Sequence, residues 1–398
     1  MRILLVTDWN RGRGGAESYI AGLHAGLELE GDQVKLLTSS AGTAGDGHAD
    51  YIAYGTERLA AQALLQIANP FAVATVRRAV RNFCPDVAFV NMFAHHLSPA
   101  ALFPLGDLPS VLYVSDYKCI CPVGSKLLPD GSLCTNQPGL VCWQSGCTSL
   151  PQWLRDLPRY ALIRSQLSRF TKIITCSEWV REALGHHDIA AETLLMPSPP
   201  PQKNYRRSPS TWPQLLFVGR LDREKGVDLL LRAMERLNGV RLRIVGEGPL
   251  RPRLEHLAKS LGIGDRVSFI GWLEPSAINI ELAHTWALVV PSLWAEPLGL
   301  VAVEAVTRGV PVVASQSGGL AEIIEPGVTG LLFPNGDEAA LEERLRQLVS
   351  GTAFPRFRLP EDAVERAANR FNQASHIKAL RSIMEEVTRS KTRTDTPA

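Results

Sequence analysis

One stretch of the 398-residue chain decides the fold, and it reads Ser292-Leu293-Trp294-Ala295-Glu296-Pro297-Leu298-Gly299-Leu300-Val301-Ala302-Val303-Glu304-Ala305. A strand-like apolar segment, 286–291, precedes it, and Gly309 follows it as a typical helix stop. The pattern therefore predicts a strand, a short loop and a helix. Pro297 suits the first position of that helix, because a missing N–H costs nothing there.

Two glutamates stand out in this stretch, Glu296 and Glu304. Their spacing predicts that Glu296 lies at the start of the helix and Glu304 about two turns further in. The free N–H groups and the positive dipole end of a helix start favour an anionic ligand. A carboxylate beside them can accept hydrogen bonds from hydroxyl groups, which sugars and riboses supply. On spacing alone, a surface helix with two solvated glutamates is the alternative.

The composition is that of an ordinary globular protein, with 45% hydrophobic and 21% charged residues. The length allows two domains with full cores. The net charge of +2 gives no argument for a nucleic-acid partner. The first apolar run is short and predicts a strand rather than a signal peptide, and no run approaches the ~18 residues of a membrane span. We expect a cytoplasmic protein, either soluble or peripheral on the inner face of the membrane.

Strand-like and helix-like segments alternate on both sides of a proline- and arginine-rich linker, 197–213. Such alternation with apolar strands predicts parallel sheets covered on both faces. The expected fold class is α/β, with two Rossmann-like doubly wound domains facing a cleft. The expected divisions are an N-terminal domain 1–200 with a cysteine-rich insert 117–150, a C-terminal domain 201–360, a helix 361–387 packing back towards the N-terminal domain, and a disordered tail 388–398.

Polar residues and glycines follow predicted strands of the N-terminal half. Gly14 and Gly15 lie between the first strand and the next helix, where glycine allows the backbone to approach a phosphate or simply makes a tight turn. Open α/β sheets place their sites just past the carboxyl ends of strands. The side chains that fit this position are His95, His96, Ser115 and Asp116. A solvated surface is the alternative for the histidine pair.

Five of the seven cysteines lie between Cys119 and Cys147, in a segment rich in Gly, Pro and Ser. Such a loop has little core of its own, so a bound metal or a covalent link would explain its order. The candidate ligands for structural zinc or another metal are Cys121, Cys134, Cys142 and Cys147. Their spacing is irregular, and free thiols in a lid-like loop are the alternative. The odd total argues against a secreted disulfide framework.

Residues 151–172 interleave apolar and basic side chains. Pro158 interrupts this segment, so we expect the continuous helix to start there. The pattern resembles a basic amphipathic helix that lies on an anionic membrane surface. The alternative is an ordinary helix whose arginine stems cover the core.

A set of short motifs occurs in order after the linker. These motifs are Gly219-Arg220, Lys225-Gly226, Gly246-Glu247-Gly248-Pro249, Pro291 to Gly299, Glu304-Ala305, Gly309-Val310-Pro311-Val312-Val313-Ala314, Gly318-Gly319-Leu320-Ala321-Glu322 and Gly330-Leu331-Leu332. Together they resemble the retaining glycosyltransferases of family 4, which have the GT-B fold. The resemblance is close over residues 210–350. It is looser in the N-terminal half, through Gly14 to Glu17 and the Asp116 region.

The resemblance implies a nucleotide-diphosphate sugar as co-substrate, held mainly by the C-terminal domain. Arg220 and Lys225 would contact the diphosphate, and these cations would stabilise the charge that develops on the leaving group. Glu296 would contact the donor sugar and complete the catalytic set, while Glu304 would bind the ribose. The backbone N–H groups expected to face phosphate or sugar are those of Leu298, Gly299 and Leu300. Gly14 and Gly15 would close over the donor. Because the chain has no DxD motif, the resemblance implies transfer without a required metal.

The chain departs from the resemblance at Ser115-Asp116, where many relatives carry His-Asp. Serine cannot act as a base at neutral pH, so either His95 or His96 compensates or the acceptor chemistry differs. The implied function is transfer of a sugar to a glycan or lipid-linked acceptor in the synthesis of cell-surface polysaccharide or glycoconjugate. A nucleotide-sugar epimerase of the same fold is an alternative. A non-catalytic nucleotide-sugar-binding partner is another, and Ser115 motivates it.

Overall fold

The computed structural model describes residues 1–8, 15–41 and 49–394, which form two compact units. The N-terminal unit comprises Met1–Pro129, Thr135–Pro197 and Gln373–Ala398. The C-terminal unit comprises Asp130–Cys134 and Ser198–Asn372. The junction at Pro197 lies close to the division expected at residue 200.

The N-terminal unit is built on one parallel sheet, which has seven strands in the described residues. The strands are β1 (Arg2–Val6), β2 (Gln33–Ser39), β3 (Tyr51–Ala53), β4 (Val87–Val90), β5 (Ser110–Val114), β6 (Lys172–Thr175) and β7 (Glu192–Thr193). Their spatial order is β3-β2-β1-β4-β5-β6-β7. Every residue of β4 and β5 is buried, so both faces of the sheet centre are covered. The chain order reverses between β1 and β4.

The C-terminal unit repeats this plan with a six-stranded parallel sheet in its described residues. The strands are β8 (Gln214–Val218), β9 (Arg241–Val245), β10 (Val267–Gly271), β11 (Ala287–Val290), β12 (Val312–Ser315) and β13 (Gly330–Phe333). Their spatial order is β10-β9-β8-β11-β12-β13. The central strands β11 and β12 are fully buried. Here the chain order reverses between β8 and β11.

Helices connect the strands, as parallel pairing requires. In chain order they are α1 (Gly15–Leu29), α2 (Leu59–Leu65), α3 (Pro70–Phe83), α4 (Leu140–Gln144), α5 (Leu150–Leu167), α6 (Glu178–Gly185), α7 (Val227–Glu235), α8 (Arg251–Ser260), α9 (Pro275–His284), α10 (Leu300–Thr307), α11 (Leu320–Ile323), α12 (Glu338–Val349), α13 (Glu361–Arg370) and α14 (Gln373–Thr394). Short 3-10 turns cover Pro99–Leu105, Arg223–Lys225 and Pro355–Phe357.

Helix α5 differs from its predicted start at Pro158. It begins at Leu150, after Ser149, whose N–H donates to the side chain of Gln152 (3.0 Å). It then continues through Pro158, which is exposed. Because Pro158 has no N–H, the carbonyl of Leu154 loses its helical partner, but on this exposed face it can be hydrated instead.

The C-terminal segment forms two helices rather than one. Helix α13 groups with the C-terminal unit and α14 with the N-terminal unit. On α14, His376 hydrogen-bonds the hydroxyl of Tyr19 (2.9 Å), and Arg381 donates to the carboxylate of Asp32 (2.9 Å). The helix extends to Thr394, so residues 388–394 of the expected disordered tail are helical. An Arg389–Glu385 ion pair at 2.9 Å supports this last part.

Candidate functional site

The C-terminal sheet brings two loops together where its chain order reverses. One loop follows β8 and covers residues 219–226, and the other follows β11 and covers residues 291–299. Loops at the carboxyl ends of strands on either side of such a reversal form the usual ligand crevice of open α/β sheets.

Backbone contacts fix these two loops against each other. The carbonyl oxygen of Glu224 accepts the N–H of Leu293 (2.8 Å) and of Trp294 (3.4 Å). Gly226 has a φ of +63°, and a Cβ at this position would lie 2.0 Å from the carbonyl oxygen of Pro291. Only glycine therefore allows this close approach.

Lys225 and Glu296 meet at the junction of the loops. The ammonium of Lys225 lies 2.7 Å from Oε1 of Glu296, which also accepts a hydrogen bond from the hydroxyl of Ser292 (2.6 Å). The same ammonium lies 4.8 Å from the ring centre of Trp294, at the distance of a cation–π contact. The side chain of Glu296 is 8% exposed and that of Lys225 is 21% exposed. A buried carboxylate is thus held by an ammonium that reaches solvent.

The loop after β12 holds Glu296 from its other side. The N–H of Gly319 donates to the carbonyl oxygen of Glu296 (2.8 Å), and Gly318 forms an isolated parallel bridge with Glu296. Gly318 has a φ of +62°, and a Cβ there would lie 2.2 Å from the same carbonyl oxygen. The backbone of Glu296 is therefore clamped between two loops.

The environment of Glu296 favours its ionised form. Burial alone would raise the pKa of this carboxyl group, but the charge of Lys225 and hydrogen bonds from Lys225, Ser292 and Trp294 outweigh burial and lower the pKa below its usual value. At neutral pH the site therefore contains a carboxylate and an ammonium in contact.

Helix α10 starts next to this pair, but three residues later than the position predicted at Pro297. Its first residue is Leu300, and Gly299 precedes it in a left-handed conformation (φ +94°) that lacks a side-chain cap. Leu298 is buried. The delay follows from Gly299, because a residue at positive φ cannot continue an α-helix backwards. The predicted Leu298-Gly299-Leu300 segment thus lies at an uncapped helix start.

Glu304 lies on α10, about one turn from its start rather than the predicted two. Burial raises the pKa of Glu304, and the positive charge of Arg308 opposes this only in part. Arg308 itself donates to the carbonyl oxygen of Glu304 (3.1 Å). A carboxyl group in this state gains from a ligand that supplies hydrogen-bond donors.

Arg220 is placed differently from the other predicted cation. Its guanidinium lies 2.7 Å from the carboxylate of Asp222, and its side chain is 77% exposed. It belongs to the same loop as Lys225 but does not contact the Lys225–Glu296 pair in the described residues. It is therefore available at the surface to an anionic ligand.

The N-terminal sheet carries a second candidate site at its own reversal point. An open pocket lies beyond the carboxyl ends of β4 and β5. Its polar lining comes from residues that follow β1, β4 and β5, namely Asp8, Asn91, Ser115, Asp116 and Lys118. Both residues of the predicted Ser115-Asp116 pair are in this lining, and His95 and His96 are not.

His95 and His96 instead support the pocket. The carboxylate of Asp8 accepts the backbone N–H groups of His95 (2.6 Å), His96 (2.8 Å) and Leu97 (2.7 Å). Nδ1 of His95 lies 3.1 Å from the ammonium of Lys118. The ring of His96 is buried and makes an edge contact with that of His95. The histidine pair is thus built into the unit and is not a solvated surface.

Asp116 is in an environment that favours its neutral form. Burial raises the pKa of this carboxyl group, the nearby charge of Asp8 adds to the effect, and Lys118 and Arg159 oppose it. Ser115 accepts a hydrogen bond from the amide of Asn91 (3.3 Å). The pocket lining therefore combines two carboxyl groups, Asp8 and Asp116, with the ammonium of Lys118.

The sequence interpretation missed Asp8, Asn91, Lys118 and Arg159. Asp8 and Asn91 directly follow strands, so the rule that singled out Ser115 and Asp116 could have found them. Arg159 could not be found this way, because it lies within α5 and is buried, donating to Gln66 (3.1 Å) and to the carbonyl oxygen of Pro122 (2.9 Å).

The predicted metal site at the cysteines is not formed. Residues 1–8, 15–41 and 49–394 contain no group of three or more His, Cys, Asp or Glu side chains that could hold a metal ion. The chain's seven cysteines all lie within this range and form no disulfide there. The physical reason is that the candidate thiols do not converge in these residues, and the Sγ of Cys121 instead accepts a hydrogen bond from the N–H of Gly124 (3.3 Å).

The predicted glycine turn is described only in part. Gly15 is the first residue of α1 and is exposed, whereas Gly14 lies outside the described residues. A search of the described helices finds none that is long and apolar enough to cross a membrane.

Solved structures share the fold along almost the whole chain. Sucrose-phosphate synthase from Thermosynechococcus elongatus matches 98% of this chain and 100% of its own, with a TM-score of 0.76 and 22% identity. HepE from Anabaena, in complex with UDP-glucose, matches 97% of this chain and 100% of its own, with a TM-score of 0.67 and 20% identity. The predicted GT-B class, with two Rossmann-like doubly wound domains, is confirmed.

Sequence relatives match a shorter region. The lipopolysaccharide core biosynthesis glycosyltransferase LpsE of Rhizobium meliloti (strain 1021) is 31% identical over 166 residues, which are 42% of this chain and 48% of LpsE. For the first curated relatives, the match spans about a third to a half of their own length, 36% to 48%.

Two protein-family models together match most of both units. Residues 14–198 match the Glycosyl transferase 4-like domain, and residues 201–370 match the Glycosyl transferases group 1 family. The chain therefore belongs to the group 1 glycosyltransferases.

Proposed function

We propose that this chain is a retaining glycosyltransferase that moves a sugar from a nucleotide-diphosphate sugar to a glycan or lipid-linked acceptor. The observation that carries the proposal is the Lys225–Glu296 pair beside the uncapped start of α10. It joins a cation for phosphate, a carboxylate for sugar hydroxyls and free backbone donors in one unit. The UDP-glucose complex of HepE supports a donor of this class.

The chemistry of the donor site follows from its donors and acceptors. An ammonium has three N–H donors, and Lys225 uses one of them on Glu296, so the others can bind phosphate oxygens. Arg220, on the same loop, adds a second cation. Negative charge grows on the nucleoside diphosphate as the glycosidic bond breaks. Fixed cations therefore stabilise the transition state more than they stabilise the bound substrate. The proposed catalytic residues are thus Lys225, Arg220 and Glu296.

The remaining predicted residues have binding roles in this proposal. The ionised carboxylate of Glu296 accepts hydrogen bonds from the donor sugar, and Glu304 accepts them from the ribose. The N–H groups at Leu298, Gly299 and Leu300 face phosphate or sugar. A ribose diol can supply hydrogen-bond donors to the half-buried carboxyl group of Glu304.

The pocket of the N-terminal unit is proposed to receive the acceptor. It offers a hydroxyl-binding set, since Oδ1 of Asn91 is buried and has no hydrogen-bond partner in the described structure. Ser115 and Asp116 add further polar atoms to the lining. LpsE, a relative named for lipopolysaccharide core synthesis, supports an acceptor used in cell-surface polysaccharide or glycoconjugate synthesis.

A peripheral membrane contact, which a lipid-linked acceptor would require, is also proposed. Helix α4 and the first turns of α5 expose several large apolar side chains, namely Leu140, Trp143, Leu150 and Leu154. Exposed Trp and Leu on short amphipathic helices favour the membrane interface. In flotation experiments with anionic vesicles, the wild type and the Ile280→Ser control should float with the vesicles. The Trp143→Ser/Leu154→Ser variant should stay in the bottom fraction. Equal flotation of all three proteins would contradict this contact.

The function is tested with a panel of nucleotide-diphosphate sugars. Thermal stabilisation identifies the donor, because a ligand that binds only the folded state raises the midpoint of unfolding. Product analysis with that donor and lipid-linked or glycan acceptors should then give a glycosidic product with retained anomeric configuration. A changed sugar without any acceptor would indicate an epimerase instead. Binding without any product would indicate a non-catalytic partner.

A further inference from the structure

A group of cationic and imidazole side chains includes Lys126, which lies within the cysteine-containing segment of the N-terminal unit. The ammonium of Lys126 lies 3.1 Å from Nε2 of His187 and donates to the carbonyl oxygen of Asn136 (3.0 Å). Lys126 is 9% exposed and His187 is 3% exposed. Arg164, on α5, is half-buried, and its positive charge acts on the same imidazole. None of these residues belongs to the donor site or the acceptor pocket.

The hydrogen-bond inventory of this group leaves donors unused. An ammonium has no acceptor, so Nε2 of His187 must accept and its proton must be on Nδ1. Nδ1 of His187 and Nη1 of Arg164 are both buried, and neither has a hydrogen-bond partner in the described residues. The third N–H of Lys126 is also unused by the two contacts above. Three donors from three side chains therefore remain.

The positive charge is also unbalanced. Burial lowers the pKa of His187 to about 4, and the positive charges of Lys126 and Arg164 add to the effect. Within the described parts of the chain, neither Lys126 nor Arg164 forms an ion pair with a carboxylate, and the neighbouring Asp188 is exposed. Buried charges are normally paired, because an unpaired one carries a large desolvation penalty. The cluster thus lacks an anion.

The backbone around Lys126 is held in an unusual conformation. Lys126 has a φ of +53°, a region that non-glycine residues seldom occupy and that persists where the surroundings impose it. The segment that follows is joined to the residue before His187, since the side-chain amide of Gln137 donates to the carbonyl oxygen of His186 (3.0 Å). A strained backbone conformation at Lys126 therefore accompanies the burial of its ammonium group.

We propose that Lys126, Arg164 and His187 form a binding site for a phosphoryl group. A phosphate offers only acceptors and negative charge, which matches a cluster of unused donors and positive charge. Arg164 is half-buried and so is partly exposed to solvent. The exposed Leu140 and Trp143 follow Asn136 closely in the chain. The phosphoryl group could thus belong to free phosphate or to the headgroup of a lipid.

Calorimetric titration with inorganic phosphate at constant ionic strength tests the site. The Arg164→Gln and Lys126→Gln variants should each weaken phosphate binding by about tenfold or more, as expected for the loss of a charge-assisted hydrogen bond. The matched control, Arg78→Gln, removes an exposed arginine of α3 and should bind like the wild type. A Lys225→Gln variant removes the proposed diphosphate contact and should retain phosphate binding.

Vesicles distinguish the two sources of the phosphoryl group. Binding to vesicles that contain phosphatidic acid, but not to phosphatidylcholine alone, with loss in Arg164→Gln, identifies a lipid headgroup. If inorganic phosphate binds in the calorimetric titration and the vesicles show no such difference, the ligand of the site is free phosphate. The proposal is overturned if the wild type binds neither probe, if Arg164→Gln and Lys126→Gln bind both as the wild type does, or if Lys225→Gln abolishes binding. Arg164 is less buried than Lys126, so Arg164→Gln is expected to fold even if Lys126→Gln does not, and it then tests the site by itself.

Discussion

The ammonium of Lys225 contacts the carboxylate of Glu296 at 2.7 Å across 71 positions of sequence. Each residue lies in a loop after a different central strand, and Glu224 joins the two loops through its carbonyl oxygen. The pair therefore has two functions that can be separated by experiment. It stabilises the loop junction of the C-terminal unit, and it positions a cation for the proposed diphosphate.

The first prediction concerns replacement of Lys225. The Lys225→Gln variant should reduce transfer by about 10²- to 10³-fold, because a fixed cation on the leaving group is lost. It should also lower the free energy of unfolding by about 1–3 kcal/mol, because Glu296 remains buried with a charge that has lost its partner. Steady-state kinetics and denaturant unfolding measure the two effects.

A double variant separates these two roles. Adding Glu296→Gln to Lys225→Gln removes the unpaired charge and should restore much of the stability without restoring transfer. Lys203→Gln, at an exposed position of the same unit, should match the wild type in both measurements. Wild-type turnover by Lys225→Gln would contradict the role of this residue.

The second prediction concerns the glycine that faces Glu296. A Cβ on Gly318 would lie 2.2 Å from the carbonyl oxygen of Glu296, a clash with backbone that cannot relax by a side-chain rotation. Gly318→Ala should therefore lower the free energy of unfolding by about 3 kcal/mol or more, and abolish transfer. Circular dichroism melts and activity assays measure these losses.

Gly327 provides the matched control for this substitution. Its φ of +77° is similar, but nothing lies within 4 Å of a Cβ built there. Gly327→Ala should cost only the about 1–2 kcal/mol of a left-handed alanine and leave transfer intact. Equal losses of stability at the two glycines would show that the positive φ of Gly318, and not its contact with Glu296, makes alanine unfavourable there.

Much of the fold could be predicted from local patterns. Apolar strand runs bounded by glycine turns identify β8 and β11, because a buried parallel strand needs apolar residues on both faces. The resemblance assigned Lys225 and Glu296 to one donor site, but their direct contact was not predicted, since no local pattern encodes which two loops meet. Spacing placed the start of α10 at Pro297, and the positive φ of Gly299 moves it to Leu300.

Other features depend on long-range packing that a single sequence does not display. Pro158 is a strong local reason to start a helix rather than to lie inside one, but α5 runs through it because the affected carbonyl lies on an exposed face. Arg159 is buried and donates hydrogen bonds to Gln66 and Pro122, which are distant in sequence. No sequence motif predicts these contacts. The cysteines are close in sequence, yet their side chains do not converge in the described residues, so proximity along the chain is not enough to predict a metal site.

The third prediction concerns the pH dependence of stability at Glu304. Burial raises its pKa in the folded protein above the usual 4.5, so folding disfavours ionisation. The free energy of unfolding should therefore fall as the pH rises from about 4.5 through the raised pKa. Glu304→Gln should remove this loss and give a protein that is more stable than the wild type at pH 7. It should also weaken nucleotide-sugar binding, because the proposed ribose contact is lost.

Unfolding of both proteins between pH 4 and pH 8 checks this prediction. Glu343→Gln, at an exposed position of α12, should keep the wild-type pH dependence. Glu296 acts in the opposite sense, because its lowered pKa adds stability that is lost as the pH falls below 4.5. A Glu304→Gln protein with the wild-type pH profile and wild-type affinity for the donor would contradict the assignment.

The fourth prediction concerns the support of the acceptor pocket by Asp8. Its carboxylate accepts three backbone N–H groups, from His95, His96 and Leu97, and each such charge-assisted bond contributes about 1.5–3 kcal/mol. Asp8→Asn keeps the shape but replaces one acceptor oxygen with an amide donor, so the 95–97 turn should loosen. We expect kcat/KM for the acceptor to fall by about 10- to 10²-fold, whereas donor affinity should stay at the wild-type level because the donor residues belong to the C-terminal unit. Asp86→Asn serves as the control, because it removes an exposed carboxylate that accepts the N–H of Arg2 (2.7 Å) and lies outside the lining of the pocket. An equal fall in donor affinity would mean that Asp8 acts on the whole protein and not on the acceptor pocket.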